Sequence, residues 1–134
     1  MVAIDLAAFC LEASSDDQEH LTLRAIMPNP VFAEGPMQVD LGLMFSAEAF
    51  DIGTTAEIKV HVLDADGNER DNLGITWRID GSGPGGATVA GFPMWRAFPV
   101  SLKKLTVRPG LHRVDVSVDG SVKRQLPFMV LPRG

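Results

Sequence analysis

One cysteine in 134 residues, Cys10, excludes an internal disulfide and any zinc site built on paired cysteines. It reads as a small buried hydrophobe rather than a reactive thiol. No stretch approaches the roughly 20 apolar residues of a membrane span. The apolar start, Met1 to Cys10, has no basic leader, is interrupted by Asp5 and sets bulky Phe9 where a cleavage site needs a small residue. It therefore reads as a strand, and the expectation is a soluble, cytoplasmic protein. Helical periodicity is also missing, as are a nucleophile elbow and a recognisable general-base arrangement. The chain is accordingly expected to be no enzyme, with no catalytic residue to name and no cofactor.

What the chain has is turn chemistry and alternation. Thirteen glycines and nine prolines sit among 46% hydrophobic residues, a balance that suits many strands joined by tight turns. At this length the expectation is one domain, 1–134, able to bury a core without metal or disulfide. The clearest stretch is the last. Arg108-Pro109-Gly110 makes a corner, Val114, Val116 and Val118 share one strand face, and Asp119-Gly120 turns into a strand with Val122, Leu126, Phe128 and Val130 on its even positions. A two-residue turn would set Val116 opposite Lys123, so parity favours a three-residue turn, Val118 to Gly120, that pairs Val116 with Val122 and Val114 with Arg124.

The same counting applies upstream. Ala3–Leu11 has apolar residues on both parities, so it is expected to be covered on both sides or to lie between sheets. A polar connection around Ser14–His20 leads to a second strand with Leu21, Leu23 and Ala25. Val31 and Phe32 lie in a proline-bracketed corner. Met37, Val39, Leu41, Leu43 and Phe45 alternate with Gln38, Asp40 and Gly42, which predicts a half-buried strand exposed on its even face. After a connection at 47–54 with room for one helical turn, Ile58, Val60 and Val62 form another core row. Here a two-residue Asp66-Gly67 turn places Val60 opposite Leu73 and Ile58 opposite Ile75, with Trp77 in the core. Phe98, Val100 and Leu102 lead back to the closing hairpin. Seven or eight strands with regular turn signals predict an all-β, antiparallel β-sandwich with Greek-key-like connections.

On its early strand and turn up to Leu23, on Val62–Glu69, and above all on Arg108 to Gly120, the chain resembles an uncharacterised bacterial family, a domain of unknown function with an immunoglobulin-like sandwich. The resemblance implies a fold and supplies no catalytic or binding residues.

Charge is unevenly placed. Met1 to Trp95 holds 4 basic and 15 acidic residues, and Arg96 to Gly134 holds 8 basic and 2 acidic, for a net charge of −5. Acidic early strands can offset basic late ones within the domain, or Lys103, Lys104, Arg108, Arg113 and Lys123 can form a basic surface for an acidic partner or for self-association. The overall acidity argues against nucleic acid.

Three motif-like patterns are declined. Gly81 to Gly86 has dinucleotide-loop spacing but contains Pro84 and no following helix. Asp64-x-Asp66-x-Asn68 lacks the sixth-position glycine and twelfth-position glutamate of a calcium loop. His20, His61 and His112 are scattered, so no metal is expected, and each reads as an ordinary surface or rim histidine.

The most site-like segment is Phe92, Met94, Trp95 and Arg96, residue types enriched at protein interfaces. Phe92 and Trp95 can equally fold back as a lid over the core. The expected function is a non-catalytic sandwich acting through protein contacts, self-associating or as a subunit of a larger assembly. The alternative is a carbohydrate- or peptide-binding module using that loop.

Overall fold

The computed structural model describes residues 1–81 and 93–134. Among the described residues, eight long strands and three short ones make two facing sheets and a small ribbon. The strands are β1 (Ala3–Ser15), β2 (Leu21–Met27), β3 (Val31–Ala33), β4 (Gly35–Pro36), β5 (Asp40–Ala47), β6 (Thr55–Leu63), β7 (Glu69–Arg78), β8 (Met94–Ser101), β9 (Thr106–Val107), β10 (Gly110–Val118) and β11 (Ser121–Leu131). One 3-10 turn, Ala49–Asp51, interrupts the 47–54 connection.

One sheet runs β2-β1-β5-β8, the other β3-β11-β10-β6-β7, and β4 pairs with β9. The fold is an all-β sandwich. In the lettering of immunoglobulin domains, β1-β5-β8 follows A-B-E and β11-β10-β6-β7 follows G-F-C-C′. One pairing departs from the expected antiparallel arrangement, because β3 lies parallel to β11, with Val31, Phe32 and Ala33 beside Met129, Val130 and Leu131.

The core is built from the facing rows that alternation picks out. Leu41, Leu43 and Phe45 of β5 meet Ile58, Val60 and Val62 of β6, Val114, Val116 and Val118 of β10, and Phe128 and Val130 of β11, all of them buried. Phe128 sits among Phe9, Phe32 and His112, with ring centroids 5.6, 5.8 and 5.0 Å away. His112 is therefore no rim histidine. It occupies the core face of β10, stacked on its cross-strand neighbour Phe128, with Nδ1 3.0 Å from the Gly110 carbonyl. Trp77 is buried as expected.

The two Asp-Gly turns differ in length, but the lengths are exchanged relative to expectation. Asp119 and Gly120 both adopt positive φ, 51° and 84°, and Val118 pairs directly with Ser121. This two-residue turn matches the twist of its strands. Parity is restored by a bulge at Lys123, so that Ser117 pairs with Val122 and Val116 with Arg124. Val122 is thereby delivered to solvent, 51% exposed. Asp119 also extends the β10–β6 ladder, its N–H donating to the Glu57 carbonyl and its carboxylate accepting the Glu57 N–H.

In the β6–β7 hairpin the expected pairs form, Val60 with Leu73 and Ile58 with Ile75. The loop, however, has three residues, Ala65 to Gly67, closed by the Asp64 N–H to the Asn68 carbonyl. A bulge at Arg70 then restores the register. Both bulges are invisible to parity counting, which assumes that each strand adds residues in step.

The even face of β5 is covered rather than exposed. Ala25 takes φ 58°, a left-handed break within β2, and beyond it the β1–β2 hairpin folds across the outside of its own sheet. Leu23 lies so close over Gly42 that a Cβ there would overlap its Cδ2. Asp40, Gly42 and Cys10 are buried as a result. This double cover explains why β1 carries apolar residues on both parities.

Candidate functional site

The sequence-predicted interface does not assemble as one surface. Phe92 lies outside the described residues. Met94 points into the core, 3% exposed, because it pairs with core-facing Ala47 at the start of β8. It is therefore unavailable to a partner. Arg96 is held from two sides, with its Nε 3.2 Å from the Glu19 carboxylate and its guanidinium 5.5 Å from the Phe98 ring centroid. Trp95 remains, 37% exposed, on the outer face beside Ser46.

Glu19 does more than pair with Arg96. Its other oxygen accepts the Ala97 backbone N–H at 3.2 Å, so the tip of the β1–β2 hairpin occupies an amide on the free edge of β8. From sequence, Ser14–His20 is only a polar connection, and nothing in one-dimensional spacing links residue 19 to residue 97.

The basic candidates are all exposed but separate into groups. Lys103 and Lys104 follow β8, and Arg108 precedes β10. Lys123 lies at the far end, across the nine residues of β10, about 27 Å at about 3.4 Å per residue. Two of the late bases meet early acids, Arg96 with Glu19 and Lys103 with Asp40, while Arg113 pairs with its own neighbour Asp115 at 2.9 Å. The early and late halves of the chain thus offset each other at these contacts.

Asp40 is, with Asp115, among the most enclosed of the paired carboxylates. One oxygen accepts the Ala13 N–H at 3.0 Å, and the other lies 3.7 Å from the Lys103 ammonium without a hydrogen bond of its own. Cys10 lies beside it, its Sγ 3.8 Å from the Asp40 carbonyl. Burial first, and then the Asp40 charge, pushes the Cys10 thiol above its ordinary pKa. The thiol is thus held protonated and enclosed, the opposite of a nucleophile's environment.

On the outer face of β6, His61 and Asn72 both bond the Glu69 carboxylate. His20 bonds Asp16 across its own turn. Asp64 spends one oxygen on the backbone N–H groups of Asp66 and Asn68, which makes it a turn former. Among the described residues no three His, Cys, Asp or Glu side chains gather as metal ligands. Among them also no helix is long and apolar enough to cross a membrane.

What sequence reading missed is the outer face of the β3–β11–β10 ladder. Leu111, Met129 and Val31 form one cross-strand row, with Leu131 next along β11. Their exposures are 57, 37, 60 and 51%. The signal was present, since Leu111, Met129 and Leu131 interrupt the polar parity of their strands. It becomes a surface only once β3 is known to add beside β11.

The fold is that of an immunoglobulin-like sandwich, and comparison with known proteins adds little beyond it. No protein-family model matches the chain, so the bacterial family it resembles finds no family-level match, and no curated protein matches it. Among solved structures it is similar to an immunoglobulin-like protein from Pseudomonas aeruginosa, at 14% identity over 98% of this chain and 97% of that one, with a TM-score of 0.47.

Proposed function

We propose that this chain is a non-catalytic β-sandwich that works through protein contacts, as a self-associating unit or as a subunit of a larger assembly. The observation that carries this reading is the row Leu111, Met129, Val31 with adjoining Leu131, four large apolar side chains on one face of three hydrogen-bonded strands. Single exposed hydrophobes are ordinary on a protein surface, whereas a contiguous set on a rigid sheet is the usual mark of a contact site. Pro127 continues the set toward Arg113, which gives the apolar centre a charged border.

The test is photo-crosslinking in the source cell, with the reactive group placed at Met129 or, as a control, at exposed Ser14. Discrete adducts from Met129 and none from Ser14 are expected. Equal absence at both positions sinks the reading.

A further inference from the structure

The free edges of the two sheets are treated very differently. The first half of β1, left unpaired by β2, is bulged at Asp5, and its Ile4 carbonyl accepts the Arg124 guanidinium at 3.1 Å. The part of β11 before Met129, beyond the reach of β3, carries the Lys123 bulge and Pro127, which has no N–H. β8 contains Pro99, and its Ala97 N–H is taken by Glu19. β2 is broken at left-handed Ala25, and β3 has three residues. Bulges, prolines, plugs and short strands are the devices that keep sheet edges from pairing.

Among the described residues, β7 has none of these along most of its length. Past the bulge at Arg70 it keeps unbroken register with β6 from Asp71 to Arg78. Among the described residues one local contact touches its backbone, the Asn72 N–H to the Asp71 carboxylate at 2.9 Å. Its inward row is also unfinished. Leu73 belongs to the core parity, yet it is 44% exposed beside a cleft of about 390 Å³ whose floor is Val60, Val62, Val100, Leu102 and Leu105. A sixth strand hydrogen-bonded to β7 would lie over that cleft and complete the row.

We propose that β7 is the pairing edge of this protein and that its occupant is β7 of a second copy, added antiparallel about a two-fold axis. The inference rests on the reading that the chain works through protein contacts, and it names one partner. Self-complementarity argues for a second copy. On its outer face β7 begins with Glu69 and ends with Arg78, so antiparallel addition brings each copy's glutamate toward the other copy's arginine. Gly74, at the middle of the strand, has nothing within 4 Å of where a Cβ would stand, which leaves the strands free to approach. Inside, Leu73, Ile75 and Trp77 of the two copies continue one apolar row. Edge pairing buries less than the roughly 800 Å² per partner of a standard interface, so the dimer dissociates on dilution, with Kd in the micromolar range.

Sedimentation equilibrium from about 1 to about 200 µM, with wild type and Leu73→Lys, tests this. The wild type should pass from monomer to dimer, and the inward charge of Leu73→Lys should weaken pairing by about tenfold or more. Hydrogen exchange on the wild type gives a second measurement, with 71–78 amides slowing as concentration rises. A wild type that stays monomeric overturns the proposal and leaves the contact reading to a different partner. A dimer that ignores Leu73→Lys, dissociates with Met129→Lys and protects β11 also overturns it, while upholding the apolar row as the contact.

Discussion

Gly42→Val tests whether the β1–β2 hairpin is folded over the back of its own sheet. A Cβ at position 42 overlaps Leu23 Cδ2 and stands 3.2 Å from Leu23 Cγ, and valine adds two further methyl groups. Valine in a strand otherwise gains up to about 1 kcal/mol over glycine. Overpacking costs about 1–3 kcal/mol, so the net loss should be about 1–2 kcal/mol. For a chain of this size that lowers Tm by about 4–8 °C. Leu23→Ala alone removes a half-buried leucine and should cost about 1–2 kcal/mol. In the double variant the clash is gone and valine fills the vacated space. Its cost should fall short of the sum by about 1 kcal/mol, beyond the roughly 0.5 kcal/mol scatter of independent sites. Urea unfolding of the four proteins measures the cycle. Additive costs would refute the contact, and with it the account of why Cys10, Asp40 and Gly42 are buried.

The same cover protects the Cys10 thiol, so a thiol reagent at about pH 8 should label the unfolded chain and leave the native protein unlabelled. Rapid native labelling would contradict the burial. The hydrogen bond from His61, reinforced by Asn72, holds the Glu69 carboxyl below its ordinary range. The unfolded state then binds a proton more readily than the folded one, so this contribution is present above the unfolded value, about 4.3, and is lost as pH falls through the lower folded value. His61→Phe should therefore give a flatter stability curve than wild type below about pH 4.5, and parallel curves would remove the interaction.

Alternation told most of what is local. The rows of β5, β6, β10 and β11, the placing of Trp77 in the core and the Val60–Leu73 and Ile58–Ile75 pairs follow from period-two spacing, because a strand sends successive side chains to opposite faces. Turn lengths were less legible. Asp-Gly permits turns of either length, and one extra residue at Lys123 or Arg70 repairs parity without leaving any mark in composition. The candidate interface was the least legible, since Met94 and Arg96 are set by what β8 packs against and by the reach of Glu19 from the distant β1–β2 turn.

Residue order by itself determined that this would be a two-layer β protein, because its apolar period and its glycine and proline punctuation admit no other economical burial. Tertiary structure alone decided which strands lie at the edges, that the first hairpin doubles back over Gly42, and that Val31 joins Met129 and Leu111 in one exposed row. Those are relations between segments far apart in the chain. They depend on the order in which strands add to a sheet, which hydrophobic spacing along any single strand does not encode.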